Sequence, residues 1–384
     1  MGYGIEFNLK ALTRGKKMKK DFLMMAGPMP LHPEVLASLS QPIISHRSKD
    51  FSEIFLQTAE LAKKIFKTNN QTFILPCSGT GGLEAVISNL MSPGDKILVC
   101  VNGFFGERFK IIMLAYSIKP IILEKGWGEP INPDDVISIL KKDPEIKSVF
   151  VVHNETSTGV ISDIKEISKE IKKLDPNIIV IIDAVSSLGG ADIQTDKWGL
   201  DVVVAASQKA LMAPPGLSLI SISDTAWKRI NSSKSPRYYF DLNLIKDEGS
   251  RGMTLVTPPI PIVIGLRKAL QILLEEGLDN IFNRNLLMRD MIIEAIESID
   301  LTLLGDRRYA SPTVTAVKLP PNINSQMLRE YVANEYSVTF APGLGHIKNE
   351  YFRIGHMGYT FPNDIIVAIP ALEKSIKHFR NVTR

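Results

Sequence analysis

Between Gln71 and about Ser223 the chain alternates seven short apolar, β-branched runs with segments of helical pattern, and this alternation leaves few folds open. The runs are 73–75, 96–101, 120–123, 148–152, 178–182, 202–206 and 217–222; the helical segments are 82–89, 104–116, 133–142 and 164–174. Asn132-Pro-Asp-Asp and Ser162-Asp are helix-start signals, each a polar cap ahead of an acidic first turn. Parallel strands must be joined by crossovers that lie over the sheet, so the alternation predicts an α/β fold, a mostly parallel sheet sandwiched by helices. Strands in such a sheet are buried on both faces, which is why the runs are continuously apolar.

Two of the runs deliver a charged residue where they end. Asp183 follows 178–182, and Lys209 lies just beyond 202–206. In open α/β sheets the ligand crevice lies outside the carboxyl ends of the strands, so the two can meet at one site although 26 positions separate them. Lys209 is preceded by Val202, Val203, Val204, Ala205 and Ala206 and followed by Ala210, Leu211, Met212 and Ala213. A lone ammonium is costly to bury, so such a lysine tends to lose its proton or to form a bond that removes the charge. A Schiff base to an aldehyde cofactor does the second. A lysine that lays its stem on apolar surface and keeps its head in water satisfies the same window, and both readings stand on the window alone.

Composition narrows the partners. The 384 residues are enough for two cores, and 45% hydrophobic with 22% charged residues fits a globular protein. Forty-five basic and 41 acidic residues leave a net charge of only +4, which argues for a small-molecule substrate and for no nucleic-acid or membrane partner. Cys77 and Cys100 lie in apolar surroundings without metal-ligand spacing, so no metal site and a reducing compartment are expected. No apolar stretch reaches membrane-span length and no signal-peptide core opens the chain, so the expected location is cytoplasmic. The basic run 14–20 reads as part of a solvated arm, 1–23, with Met18 as an alternative start. A large domain is expected over 24–277. Pro258-Pro-Ile-Pro261 introduces one long helical pattern running past Gly277 towards Ser298, and strands 311–318 and 351–354 with helices 325–334 and 364–379 suggest a smaller α+β domain over 278–384.

Cys77-Ser-Gly-Thr-Gly-Gly82 follows a strand and opens a helix near Gly81. Free N–H groups at a helix N-terminus, with the Ser78 and Thr80 hydroxyls, make a seat for a phosphate dianion; an ordinary glycine turn has the same composition. It has neither the Gly-Lys-Ser/Thr ending of a Walker loop nor the spacing of a dinucleotide fingerprint, so a phosphate monoester fits better.

Ser78-Gly-Thr, Asn102-Gly-Phe-Phe-Gly-Glu-Arg108, His153-Asn-Glu-Thr-Ser-Thr-Gly159, Asp183-Ala-Val-Ser-Ser-Leu-Gly-Gly, Ser207-Gln-Lys-Ala-Leu-Met-Ala-Pro-Pro-Gly216 and Arg353-Ile-Gly together resemble the class V aminotransferases, in the alanine–glyoxylate and serine–pyruvate (or serine–glyoxylate) branch. The resemblance runs from Gly27-Pro-Met-Pro30 to the last helix and implies fold type I, pyridoxal 5'-phosphate and a homodimer with shared active sites. It makes Lys209 the Schiff-base lysine and Asp183 the partner of the pyridinium nitrogen. Ser78, Gly79, Thr80 and Gln208 would hold the phosphate, joined by Thr257 from the other subunit, with Thr254 in the same segment. Phe105 would stack on the ring, with Val185 on its other face and the Thr156 hydroxyl near it. Arg353 would clamp the substrate α-carboxylate, helped by N–H groups near Pro28 and Met29. Phe105 stands where tryptophan is frequent, Thr254 where some relatives have tyrosine and Thr80 where histidine occurs.

The implied reaction moves an amino group from serine or alanine to pyruvate or glyoxylate by a ping-pong route. A cysteine desulfurase needs a late thiol, and no cysteine follows Cys100. Aminoethylphosphonate transamination, lyase or epimerase chemistry, and a catalytically silent binding module are the alternatives. His46, His153 and His356 are given no role, and Glu155 and the Glu107-Arg108 pair read as structural or solvated.

Overall fold

The computed structural model describes residues 20–382; residues 1–19, with most of the basic run and Met18, lie outside the described residues. Seven strands form the main sheet in the order Gln71–Leu75, Ser218–Ile222, Val202–Ala206, Ile179–Asp183, Ser148–Val152, Ile97–Val101, Ile121–Glu124. Ser218–Ile222 runs antiparallel to both neighbours, and the other pairings are parallel. The segment joining it to Val202–Ala206 carries no crossover helix, so the chain can only return in the opposite direction.

Side chains alternate across these strands and feed two cores. Val149, Val151, Val180 and Ile182 face Phe51, Phe55 and Phe66 of helix Lys49–Phe66, Ile167 and Ile171 of Ile164–Leu174, and Leu266 and Leu270 of Ile260–Glu276. Phe150, Val152, Ile179 and Ile181 face Leu83 and Val86 of Gly79–Leu90 and Phe109 of Phe104–Ala115. The helix starts are as the sequence predicts: Asn132 Oδ1 accepts from Asp134 N at 3.0 Å ahead of Pro133, and Asp163 Oδ1 accepts from Glu166 N at 3.0 Å.

The long helical pattern after Pro261 is two helices, Ile260–Glu276 and Leu278–Ser298. They break at Gly277, whose φ of 86° lies in the region that glycine alone adopts freely. Leu278–Ser298 leads into a second sheet with the order Phe22–Met24, Val338–Pro342, Tyr351–Gly355, Val314–Lys318, Thr302–Leu303. Met288, Ile292, Leu328, Val332 and Leu372, from the helices around this sheet, pack with Phe340 and Phe352. Its edge strand Phe22–Met24 pairs in parallel with Val338–Phe340, so residues that the sequence reading assigns to the arm are sheet residues. Among the described residues no helix is long and apolar enough to cross a membrane.

The chain leaves that edge strand and passes at once under Gly355, where a Cβ would overlap the Met25 carbonyl. Backbone cannot swing aside as a long side chain does. Gly355→Ala is expected to lower unfolding free energy by about 2–4 kcal/mol, read from urea midpoints, whereas Gly249→Ala, with open space around it, should stay within about 0.5 kcal/mol.

Candidate active site

Asp183 closes its strand at the carboxyl edge of the main sheet, paired with Val152 on one side and Val204 on the other. Its side chain is buried, and Oδ1 accepts from Val185 N at 2.9 Å. Burial pushes its carboxyl up to about 7; the Val185 N–H and the charges of Arg108 and Lys209 act the other way. Lys209 is held beside it on the loop that follows Val202–Ala206, with Nζ donating to the Ala26 carbonyl at 2.5 Å. Desolvation, then Arg353 and Arg108, push its ammonium down to about 8, against the pull of Asp183. An acid and an amine that both titrate near neutrality therefore share one pocket, whose walls are Phe105, Val152, Asn154, Thr156, Val185 and Ser186. Gly27 backs onto the lysine so closely that a Cβ there would come within 2.5 Å of Nζ.

The glycine loop borders the same pocket. Its helix starts at Gly79 rather than near Gly81, because Ser78 is the cap and its Oγ accepts from Gly81 N at 3.3 Å. The N–H groups of Gly79 and Thr80, first in the helix, have no acceptor within it. Gly79 lies against Val185: a Cβ there would meet Val185 Cγ2 at 2.8 Å. Gln208 carries a buried amide oxygen with no hydrogen-bond partner among the described residues; a phosphate dianion, itself an acceptor, could be met only by the N–H groups of that amide. Free N–H groups and two hydroxyls fit a phosphate monoester.

Phe105 is placed by a carboxylate. Helix Phe104–Ala115 starts at Gly103, which has no side chain to cap it, and Glu155 does so from another segment. Glu155 Oε2 accepts from Phe105 N at 3.0 Å and Gly106 N at 3.2 Å. Ser157 Oγ accepts from Phe104 N at 3.0 Å and donates to Glu155 Oε1 at 2.5 Å. Glu155 is fully buried, which raises its pKa, and the N–H groups it caps work against that rise. Its structural reading stands. The Glu107-Arg108 pair does not form: Glu107 pairs with Lys110 at 3.1 Å, while Arg108 folds back over Phe104 and Phe105 and donates from Nη1 to Thr80 Oγ1 at 3.2 Å. The signal available in the sequence was spacing, since residues three and four apart share a helix face.

Arg353, in strand Tyr351–Gly355, is 6% exposed, and its Nε and Nη1 donate to the carbonyls of Pro342 at 2.8 Å and Thr156 at 3.0 Å. Among the described residues no carboxylate lies within ion-pair distance of it, so its charge is available to an incoming one. Pro28 has no N–H, and the Met29 N–H donates to the Gln208 carbonyl at 3.0 Å, so neither has a backbone donor to spare for a substrate. Thr254 and Thr257 are not brought to Lys209 within this chain. Thr254 lines a separate apolar pocket with Phe55, Leu75, Tyr239 and Met253, and Thr257 is exposed.

A buried acid and a depressed lysine at the carboxyl edge of a mostly parallel sheet, beside a glycine loop that opens a helix, are the arrangement of fold type I pyridoxal phosphate enzymes. The model of the family "Aminotransferase class-V" matches residues 32–346. The chain is 37% identical to the soluble hydrogenase small subunit of a Synechococcus species over 92% of both chains, and 32% identical to serine–glyoxylate aminotransferase of Methylorubrum extorquens over 93% of this chain and 91% of that one. It superposes on the alanine–glyoxylate aminotransferase of a Nostoc species with a TM-score of 0.89, at 28% identity, over 97% of this chain and all of that one. The chain belongs to the class V aminotransferases, which depend on pyridoxal phosphate.

His153 and His356 flank the site as buried neutral rings, bonded to Ser187 Oγ and Thr315 Oγ1, each at 2.9 Å. Burial, then Arg289, pushes His356 down to about 3. Below its ordinary value of 6.5 the unfolded chain takes up a proton at this ring that the folded chain refuses. Relative to His356→Gln, the wild type is therefore expected to lose about 1.4 kcal/mol of stability per pH unit as pH falls from about 6 to about 4, measured by urea unfolding at each pH.

Proposed function

We propose that this chain moves the amino group of a small amino acid, serine or alanine, to a 2-oxo acid, pyruvate or glyoxylate, in two half-reactions at the Lys209 site. The observation that carries the reading is the pairing of Asp183 and Lys209, both titrating near neutrality, with the desolvated Arg353 beside them. The names of the Methylorubrum and Nostoc proteins support the choice of substrates, as does a pocket closed in by Phe105, Val152 and Asn154.

Pyridoxal phosphate, when bound, supplies a ring that spreads the negative charge developing at the substrate Cα. Ser78, Gly79, Thr80 and Gln208 would hold its phosphate, and Phe105 and Val185 would pack against the ring, Phe105 through apolar contact alone. Asp183 would keep a proton on the ring nitrogen, and the Thr156 hydroxyl, which lines the same pocket, would be near the ring. Lys209 Nζ would be the attachment point. The same Nζ, destabilised as an ammonium by desolvation, would accept a proton from the substrate Cα and could give it up again. Arg353 orients the substrate through its carboxylate with a planar two-donor fork that lysine lacks.

We place this chemistry in a homodimer, Thr254 and Thr257 reaching the site of the second copy, with a large unit over 24–277 and a small one over 278–384. The reducing cytoplasm is the compartment that two free cysteines favour. Wild-type protein should show a visible absorption band that survives dialysis and parallel double-reciprocal plots for donor and acceptor; intersecting plots would sink the two half-reactions. Lys209→Ala should lack the band and transfer no amino group. Arg353→Lys should raise KM for amino and oxo acids alike by roughly tenfold or more without loss of bound cofactor; unchanged KM values would remove the clamp assignment.

A further inference from the structure

The reading of the site as a pyridoxal phosphate pocket leaves one charge unanswered. A phosphate monoester dianion taken out of water needs positive charge as well as N–H donors. Ser78, Gly79, Thr80 and Gln208 are all neutral, and Lys209 is committed at the other end of the cofactor.

Arg108 has no carboxylate within ion-pair distance among the described residues, whereas Arg229, Arg251, Arg284 and Arg308 each sit against one. Its guanidinium is held by other means, 4.9 Å from the Phe105 ring centroid and 5.1 Å from that of Phe104. Nη1 donates to Thr80 Oγ1 at 3.2 Å, which puts the cation at the first turn of the helix that Ser78 caps. Arg108 and Arg353 both lie close enough to Lys209 to weaken its ammonium. The site thus holds two arginines without carboxylate partners, and its ligands carry two kinds of anion, a carboxylate and a phosphate.

We propose that Arg108 is the counter-charge of the cofactor phosphate, fixed in place by stacking on Phe104 and Phe105. The helix that carries it is anchored by Glu155, so one buried cap sets both the aromatic over the ring and the cation at the phosphate. A guanidinium stacked on aromatic faces keeps its charge and has five donors, of which the Thr80 hydroxyl takes one.

The test compares pyridoxal phosphate with pyridoxal, which differs only in lacking the phosphate. Apo forms of the wild type, Arg108→Gln and Arg108→Lys are titrated with each aldehyde, reading the visible band of the lysine-bound form, with inorganic phosphate as competitor. Arg108→Gln should raise the Kd for pyridoxal phosphate by roughly tenfold to a hundredfold, leave that for pyridoxal within about twofold, and weaken competition by phosphate. Arg108→Lys should fall between, and an unchanged melting temperature of the apo variants excludes a folding defect. If both aldehydes weaken alike, Arg108 acts only through the packing of Phe105, and the assignment is overturned. It is equally overturned if both Kd values hold while KM rises for dicarboxylic amino acids alone, because Arg108 then serves a substrate side chain. Wild-type protein that forms no band with either aldehyde would overturn the cofactor reading along with it, an outcome that no change confined to the variants can produce.

Discussion

The site depends on desolvation where buried strands stop. The central strands of the seven-stranded sheet are covered on both faces, so their side chains have no route to water except at the strand ends. Asp183 and Lys209 are presented there, close enough to the core that charge on either is penalised. In water a carboxyl and an ammonium lie more than six pH units apart; here burial brings them close to neutrality from opposite sides. A proton can then be held or passed on with little cost, which chemistry at a substrate Cα requires.

The parts of the site are tied together by the short hairpin Asn154–Glu155 and Val160–Ile161. Glu155 caps the helix bearing Phe105 and Arg108, the Thr156 carbonyl holds Arg353 of the second sheet, and the Asn154 amide donates to Ser186 and Thr313. A carboxylate this deeply buried is tolerated because backbone N–H groups and the Ser157 hydroxyl satisfy it. The hairpin therefore sets the distance between helix Phe104–Ala115 and Arg353, although no strand of the main sheet contains it.

Much of this was legible in the linear chain. The seven runs and four helices between Gln71 and Ser223 are set by apolar periodicity and caps, which are local properties. Lys209, Asp183, Thr156, Val185 and Phe105, picked out by motif, line one pocket. Glu107 and Arg108 read as a structural or solvated pair; the two do not pair, because the rings that hold Arg108 lie one turn back on the same helix face. Helix Lys49–Phe66 and strand Val338–Pro342 went unrecognised, as did the strand Phe22–Met24, which is only three residues long and exists through its pairing with Val338–Phe340.

By itself the sequence determined the alternation of strands and helices and the chemical types of the residues at the strand ends, because periodicity and side-chain chemistry are carried by neighbours. Only the tertiary structure decided that Ser218–Ile222 turns back, that the chain's first described strand joins its last sheet, that Gly27 backs onto Lys209, and that Glu155 caps a helix some fifty residues earlier. Each of these joins segments far apart in sequence, and such contacts are chosen by which surfaces can be buried together without leaving a polar group unpaired.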